Sequence, residues 1–303
     1  MSKPRIALVT ARAARDKDDD LPPLVDALHA AGAEVAVLDW DDAGVDWSTW
    51  DVAVIRSPWD YTARLAEFLA WAQHTDAATQ LLNPYEIVRW NTDKHYLADV
   101  ERAGAAIVPS RFIEPGDDAD AAIRAFLDTF PHAAEFVVKP CVGAGSRGAQ
   151  RHAREAIGAA TAHAQGLLAE GGSVLLQPYL DRVDEHGETA LVFFDGVYSH
   201  AIRKGPLLRR GGEAGRALFA PEHIQPREPT AAEHALAERT LAAIPSDAPL
   251  LYTRIDLIHD ADGEPRVLEL ELSEPSLFFA HGAGSAARYA AAILHRAAAV
   301  RTA

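Results

Sequence analysis

The chain of 303 residues is predicted to combine an α/β lobe at its N-terminus with α+β lobes that follow. Short apolar strands alternate with helical segments in the first third, which is typical of a small parallel sheet. A strand that runs into a glycine-rich loop marks the middle, and two hairpin signatures mark the last third. A chain of this length usually needs more than one hydrophobic core, which agrees with several packed lobes.

The N-terminal lobe is predicted from three short apolar runs that are typical of buried strands. These runs are residues 5–10, 34–38 and 51–55. Pro22 and Pro23 favour a helix start before residues 24–31, and Gly32 marks its end. We expect a domain at residues 1–92 and a second domain at residues 93–303.

The second domain is predicted to contain a central lobe at about residues 105–180 and a C-terminal lobe at about 181–303. The central lobe has strand-like and helix-like segments at residues 136–139, 155–170 and 174–177. In the C-terminal lobe, Asp195-Gly196 predicts a type I′ turn between two strands. A second hairpin is expected at residues 251–272 and a final helix at 284–299. Residues 206–228 form either a loop over a site or a surface excursion.

Composition and charge narrow the class of protein. A formal net charge of −15 argues against nucleic acid as the main partner, because phosphate contacts need a basic surface. Cys141 is the only cysteine, so no intrachain disulfide can form, which favours a reducing, cytoplasmic setting. The apolar run near the N-terminus is too short for a signal peptide or a membrane span. We expect a homodimer, because this is the commonest oligomer.

The second hairpin carries three carboxylates. In the strand 268–272 the leucines share one face, and Glu269 and Glu271 share the other. The turn places Asp256 across from residues 267–269, so the three side chains converge. Like charges across a strand pair are destabilising unless a cation compensates, and Mg²⁺ prefers oxygen ligands of this kind. The alternative is an exposed sheet face that is acidic without binding a metal.

The glycine loop follows the strand that contains Lys139 and has the spacing Gly-x-Gly-x-x-Gly over residues 143–148. It differs from a dinucleotide fingerprint, because it lies in mid-chain and the next strand ends in Gln177-Pro178 without the expected acid. The backbone N–H groups of such a loop can cradle a phosphate, and Lys139 can reach it. The alternative is a glycine-rich turn beside a solvated lysine.

Taken in order, Lys94, Lys139, the glycine loop, the Gln177 strand and the acidic hairpin resemble the ATP-grasp superfamily over about residues 90–280. The similar branches are the D-alanine–D-alanine ligases, the glutathione synthetases and the RimK-like ligases. The resemblance implies an ATP-grasp fold, in which a pre-ATP lobe precedes central and C-terminal lobes that sandwich ATP. It also implies ATP and Mg²⁺ as cofactors.

The resemblance further implies roles for individual residues. The contacts with ATP phosphates are Lys94, Lys139, Gly145 and Ser146, and those with adenine are Gln177, Tyr179 and Leu180. Either Asp184 or Glu185 occupies the position of the ribose contact, and either Arg203 or Lys204 that of the γ-phosphate contact. The superfamily's metal signature is matched by Arg254, Asp256 and Glu269, whereas Glu271 stands where the superfamily has Asn. Arg254 is expected to stabilise an oxyanion.

A closer resemblance links the chain to the cyclo-ligases of cycloserine biosynthesis, which close O-ureido-serine to a ring. It is carried by Arg-Ser-Pro-Trp-Asp-Tyr at 56–61, Asn-Thr-Asp-Lys at 91–94 and Leu-Glu-Leu-Ser-Glu-Pro-Ser-Leu at 270–277. The substrate would be a small amino-acid-like molecule. Its candidate contacts are Arg56, Ser57, Asp60, Ser273, Glu274 and Ser276, with Arg56 pairing the carboxylate. Asp60 has a second interpretation as a helix cap.

Two other functions fit the same residues. One is an intermolecular carboxylate–amine ligase, which would need a second substrate. The other is a nucleotide-binding protein without turnover, which the replacement of Asn by Glu271 makes conceivable.

Overall fold

A computed structural model of the protein describes residues 3–208 and 223–301. The N-terminal part forms a parallel sheet with the strand order β2-β1-β3-β4. Its strands are β1 (Arg5–Thr10), β2 (Glu34–Asp39), β3 (Val52–Ser57) and β4 (Gln80–Leu82). Its helices are α1 (Leu21–Ala30), α2 (Leu65–Ala78) and α3 (Tyr85–Asn91), and short 3-10 helices occupy Trp47–Thr49 and Tyr61–Ala63. Helix α4 (Tyr96–Arg102) follows, and its buried residues share an apolar cluster with strands from the last third of the chain.

Local sequence explains these elements. Strands β1 and β3 are apolar on both faces, as expected for strands covered by helices on each side. Helix α1 has proline in its first turn, where a missing N–H costs nothing, and it buries Leu24 and Leu28 four residues apart. The predicted helix is therefore confirmed, although it begins three residues earlier than expected.

The central part forms an antiparallel sheet with the order β5-β8-β6-β7. Its elements are β5 (Arg111–Ile113), α5 (Ala119–Thr129), β6 (Glu135–Pro140), β7 (Gln150–Ala153), α6 (Ile157–Ala169) and β8 (Val174–Pro178). Helices α5 and α6 share one apolar cluster with this sheet. The segments predicted at residues 136–139, 155–170 and 174–177 are confirmed within one or two residues.

The C-terminal part forms a second antiparallel sheet with the order β11-β10-β9-β12-β13. Its elements are α7 (Val183–His186), β9 (Glu188–Phe194), β10 (Val197–Lys204), β11 (Ile224–Pro226), α8 (Ala231–Ala242), β12 (Tyr252–His259), β13 (Pro265–Glu271), a 3-10 helix (Phe279–His281) and α9 (Ser285–Val300). Asp195 and Gly196 have φ values of 51° and 77°, as a type I′ turn requires. A Cβ at Gly196 would lie 2.9 Å from Pro249, so glycine is needed there. The first predicted hairpin is confirmed.

The second hairpin pairs β12 with β13, and its register decides which side chains meet. Asp256 lies opposite Glu269, and Arg254 lies opposite Glu271. The register shifts between Asp256 and Leu257, which is where a bulge lets the strands change partners. The prediction that Asp256 faces residues 267–269 is therefore confirmed.

The chain returns to its beginning at the C-terminus, because α9 packs against α1. Leu24 and Leu28 of α1 share an apolar cluster with Tyr289 and Ile293 of α9. Of the segment 206–228, residues 209–222 lie outside the described residues, while 224–226 form the edge strand β11. None of the helices in the described ranges is both long and apolar enough to cross a membrane.

Candidate active site

A cavity of about 810 Å³ opens where the three sheets approach one another. Side chains from all three parts of the chain line it, including Tyr61, Lys139 and Glu274. One end, here named the charged end, contains ionised groups of β6, β10, β12 and β13. The other part, here named the loop end, contains Glu274, Ser276 and Phe278 with Trp59 and Tyr61.

Three carboxylates converge at the charged end, as the hairpin register requires. One oxygen from each of Asp256, Glu269 and Glu271 lies within 4.8 Å of the others. Asp256 is 1% exposed, and the glutamates are partly exposed toward the cavity. The leucines of β13 force this arrangement, because Leu270 and Leu272 occupy the core and leave the glutamates on the other face.

Buried cations compensate Asp256 directly. Arg254 donates from Nε and Nη2 to the two carboxylate oxygens, at 2.9 and 2.8 Å, and also contacts Glu271. Lys204 places its Nζ 2.7 Å from Asp256 Oδ2 and also contacts Glu188. Although burial opposes ionisation, Arg254 and Lys204 hold the pKa of Asp256 below its usual range. The two predicted basic residues therefore lie where negative charge collects.

Two lysines meet Glu269 from the other side. Lys139 Nζ is 3.2 Å and Lys94 Nζ is 3.5 Å from Glu269 Oε1, and Lys94 also donates to the Gly143 carbonyl at 3.0 Å. Burial raises the pKa of Glu269, but the two lysines outweigh it and lower the value to about 2. Lys94 and Lys139 are therefore far apart in sequence but contact the same carboxylate oxygen of Glu269.

The remaining acids at this end are not fully stabilised in their ionised form by the bases around them. Burial raises the pKa of Glu271 to about 8, and Asp256 and Glu269 add to the effect while Arg254 opposes it. Burial also raises the pKa of Glu188 to about 8, against the influence of Lys204. A cluster of hard oxygen donors whose ionisation is disfavoured by its neighbours fits a divalent cation such as Mg²⁺.

The glycine loop, residues 143–148, joins β6 to β7 and forms one wall of the cavity. Gly145 and Ser146 have φ values of 62° and 58°, so the loop turns sharply beside the lysines. At Gly148, φ is 72° and a Cβ would lie 3.2 Å from Pro140, which explains the glycine there. Backbone amides of such a turn are suited to binding anions.

The strand end at Gln177 forms the opposite wall. Gln177 is 2% exposed and donates from Nε2 to Ser110 Oγ at 3.0 Å, while Tyr179 and Leu180 line the cavity. Asp184 accepts hydrogen bonds from Arg151, at 3.1 Å, and from the Tyr179 hydroxyl. Asp184 is not among the cavity-lining residues of the described ranges.

The structure separates Arg203 from Lys204 but not Asp184 from Glu185, because neither of these acids lines the cavity. Arg203 donates to the carbonyl oxygens of Glu185 and His186, both at 2.7 Å, and lies outside the cavity. Lys204 lies inside it, because side chains alternate along β10. Glu185 is exposed, and it does not line the cavity.

Arg56 requires a correction. It is 0% exposed, so it does not reach the cavity. Its guanidinium instead lies 3.5 Å from Asp18 and 3.9 Å from Asp20, and it approaches the Pro275 carbonyl at 3.4 Å. A buried arginine needs acidic partners of this kind. Asp18 and Asp20 therefore form the ion pairs that we expected Arg56 to form with the substrate carboxylate. Its pKa is raised because the two aspartates outweigh burial, which opposes the charge.

Three further predicted substrate contacts are also engaged inside the protein. Ser57 bonds to the Thr10 hydroxyl at 2.8 Å, and Asp60 accepts from Trp40 Nε1 at 2.9 Å rather than capping a helix. Ser273 is buried, and its carbonyl accepts from the Tyr252 hydroxyl at 2.6 Å. Of the predicted substrate residues, Glu274 and Ser276 line the cavity.

Several residues that sequence patterns did not indicate fix the loop end. Asp20 accepts three backbone N–H groups, from Leu277, Phe278 and Phe279, at 2.6 to 2.9 Å. Asn91 of α3 donates to the Leu270 carbonyl at 2.6 Å and accepts from the Leu272 amide at 2.8 Å. Asn91 belongs to the Asn-Thr-Asp-Lys motif at 91–94, but no pattern assigned it this role, and Asp20 stands in an unremarkable run of aspartates.

Comparison with known proteins agrees with this geometry. Residues 6–83 match the family described as D-cycloserine synthetase DcsG, N-terminal domain. The cycloserine biosynthesis protein DcsG of Streptomyces lavendulae is 44% identical over 295 residues, which are 96% of this chain and 98% of that protein. The crystal structure of D-cycloserine synthetase DcsG matches with a TM-score of 0.91 at 44% identity, covering 96% of this chain and 99% of that one.

More distant structures share the fold. The ATP-grasp ligase PsnB in complex with a minimal precursor matches with a TM-score of 0.66 at 19% identity, covering 97% of this chain and all of that one. The D-alanine–D-alanine ligase of Bacillus anthracis matches with a TM-score of 0.68 at 14% identity, covering 99% of both chains. The predicted ATP-grasp fold is confirmed, and the chain is an ATP-dependent ligase that belongs to the D-cycloserine synthetase DcsG family.

Proposed function

We propose that the protein uses ATP and Mg²⁺ to close O-ureido-D-serine to D-cycloserine. The observation that carries this proposal is that a cationic, carboxylate-rich group of side chains and a loop with acidic and hydroxyl side chains line the same cavity. The likeness to DcsG over nearly the whole of both chains supports the substrate, and the name of that relative supplies the D configuration.

ATP would lie between the central and C-terminal sheets. We assign its phosphates to Lys94, Lys139, Gly145 and Ser146, because these residues lie together at the charged end. We assign adenine to the wall made by Gln177, Tyr179 and Leu180. Asp184 then acts by holding Tyr179 and Arg151 in place, since both already occupy its carboxylate.

The residues that would hold Mg²⁺ are Asp256, Glu269 and Glu271, whose oxygens converge and whose charges are incompletely balanced. When bound, this ion supplies neutralisation and orientation of the phosphates. Lys204, which lies in the cavity next to Asp256, is assigned to the γ-phosphate in preference to Arg203.

The reaction proceeds in three steps that balance. A carboxylate oxygen of the substrate attacks the γ-phosphorus, and ADP leaves. The nitrogen attached to the side-chain oxygen then attacks the acyl carbon, and phosphate leaves as the ring closes. That nitrogen still bears a carbamoyl group, which is lost by hydrolysis with one water as carbon dioxide and ammonia. Because the nucleophile is in the same molecule, proximity replaces a second substrate site.

We assign to Arg254 the stabilisation of the oxyanion that forms at the acyl carbon. Its guanidinium is fixed by Asp256 and Glu271 and by the Ser276 carbonyl at 3.0 Å, so it joins the charged end to the loop end. Preorganised donors of this kind lower the barrier because they need not reorient during the reaction. A homodimer and a cytoplasmic location stay predictions of the sequence.

The proposal is tested by incubating the protein with ATP, Mg²⁺ and O-ureido-D-serine alone, while ADP and cycloserine are measured together. We expect equal amounts of the two products without any added amine. ADP release that strictly requires a second amino acid would instead support an intermolecular ligase. ATP binding without ADP release across a panel of amino acids would indicate a protein without turnover.

A further inference from the structure

The carboxylate of Glu274 differs from those at the charged end of the cavity. At the charged end, the acids contact arginine or lysine side chains. Across residues 3–208 and 223–301, by contrast, the one side-chain hydrogen bond to Glu274 comes from the neutral Tyr61 hydroxyl, at 2.8 Å, and no basic side chain forms an ion pair with it. Among the residues that the structure describes, Glu274 is therefore a partly buried acid of the cavity that lacks a cationic partner, whereas Asp19, which also lines the cavity without an ion pair, is exposed to solvent.

Glu274 is nevertheless held firmly. Tyr61 Oη donates to Glu274 Oε1, and Trp59 Nε1 donates to the Glu274 backbone carbonyl at 2.9 Å. Both aromatic residues come from the loop after β3, in the N-terminal part of the chain. One carboxylate oxygen is thus fixed by a neutral donor, and the other stays available to the cavity. A carboxylate fixed in this way is preorganised for a ligand rather than folded onto a neighbouring cation.

Its position also suits one group of the substrate. Arg254, which we assign to the acyl oxyanion, donates to the carbonyl of Ser276, two residues beyond Glu274. The pKa of Glu274 is raised, because burial outweighs the Tyr61 hydrogen bond and the cations Lys94 and Arg254, which lower it. Lys94 and Arg254 therefore lie close enough to act on this carboxylate. In an α-amino acid the ammonium and the carboxylate are attached to the same carbon. An ammonium site must therefore lie close to the groups that act on the carboxylate.

We propose that Glu274 binds the α-ammonium group of the substrate, and that Tyr61 is the positioning residue that orients its carboxylate. This inference rests on the proposed function and adds a specificity determinant to it. It predicts selection for α-amino acids over analogues that lack the amine, because such an analogue would leave Glu274 desolvated without a partner.

The test compares two substrates on two proteins. The substrates are O-ureido-D-serine and 3-(ureidooxy)propanoic acid, which lacks only the amine, and the variant is Glu274→Gln. We expect the wild type to prefer the amine substrate by about 30- to 100-fold in kcat/KM, as loss of a charge-assisted hydrogen bond implies. In the variant this ratio should fall to within about threefold of unity. Glu264→Gln, on the exposed turn after β12, is the matched control and should retain the wild-type ratio.

Each of the other outcomes contradicts either the ammonium site or the proposed function. A wild-type preference that persists in Glu274→Gln contradicts the ammonium site alone. A fall in kcat by the same factor for both substrates, with the ratio unchanged, also contradicts it and indicates proton transfer instead. No turnover of either substrate by the wild type contradicts the proposed function itself. The ATP-induced rise in melting temperature shows whether Glu274→Gln is folded and binds ATP. If this rise is absent, the same substrate comparison is made with Tyr61→Phe. An unchanged ratio of the two kcat/KM values in that variant again contradicts the inference.

Discussion

The charged end and the loop end of the cavity are built on different physical principles. The charged end balances acids against bases at close range: its acids are Glu188, Asp256, Glu269 and Glu271, and its bases are Lys94, Lys139, Lys204 and Arg254. The loop end is instead fixed mainly by hydrogen bonds to backbone, which Trp59, Asp20 and Arg254 supply.

This difference separates two tasks. The ion pairs at the charged end can exchange partners when ATP and Mg²⁺ bind. The phosphates can replace carboxylates as partners of the lysines and Arg254, and the cation can replace these bases as partner of the carboxylates. The loop end has little to exchange, so it can present a fixed shape to a small substrate. We therefore expect substitutions at the charged end to abolish turnover, and substitutions beneath the loop end to act through stability and substrate affinity.

The largest expected effect follows from Asp256→Asn. It removes a carboxylate that contacts both Arg254 and Lys204 and that we assign to Mg²⁺. We expect turnover of ATP to fall by about 10³-fold, the order seen when preorganised charge stabilisation is removed. Steady-state ADP release at saturating Mg²⁺ measures it. Asp262→Asn, on the exposed turn of the same hairpin, is the control. Comparable turnover in the two variants would refute the assignment.

A smaller effect is expected beneath the loop end, from Arg56→Met. The change leaves Asp18 and Asp20 buried without their cation, and removing one partner of a buried ion pair costs about 3 kcal/mol or more. Arg5→Met is the matched control, because Arg5 is 39% exposed and pairs with Glu34 at the surface, where the loss should stay below about 1 kcal/mol. Urea unfolding measures both. Equal losses would show that the buried ion cluster contributes no more than a surface pair.

The smallest effect concerns the lobe that carries the glycine loop. Burial lowers the pKa of His152 to about 4, with a further contribution from His163, whose Nδ1 is 3.2 Å from His152 Nε2. An unfolded histidine titrates near 6.5, so between these values the unfolded chain binds more protons. The contribution of neutral His152 to the free energy of unfolding is therefore fully present above about pH 6.5 and is lost as the pH drops toward 4.

His152→Leu removes this dependence. From pH 7 to pH 5 we expect the wild type to lose about 2 kcal/mol more of its free energy of unfolding than the variant loses. Urea unfolding at the two pH values measures the difference, and His132→Leu, at an exposed position, is the control. A variant that loses stability as steeply as the wild type would show that His152 is not the group responsible.

Sequence patterns predicted those parts of the site that depend on local periodicity. The alternation of leucine and glutamate in β13, together with the length of the turn, was enough to bring Glu269 and Glu271 to one face with Asp256. Asp195-Gly196 was enough to predict the first hairpin, because few residues adopt both left-handed conformations.

The loop end could not be predicted in this way. Tyr61 and Glu274 are separated by 213 positions, and Arg56 reaches the Pro275 carbonyl across 219. No period in either segment encodes that meeting, which depends on how the N-terminal sheet packs against the C-terminal one. The same limitation made Arg56 resemble a substrate contact, since a sequence does not show that two aspartates already neutralise it.

The central claim is that ATP activates the substrate carboxylate as an acyl phosphate at the charged end. The most direct test uses O-ureido-D-serine labelled with oxygen-18 in both carboxylate oxygens, followed by mass spectrometry of the released phosphate. The account predicts one labelled oxygen in each phosphate and one retained in each cycloserine. Phosphate that carries no label while cycloserine forms would contradict it.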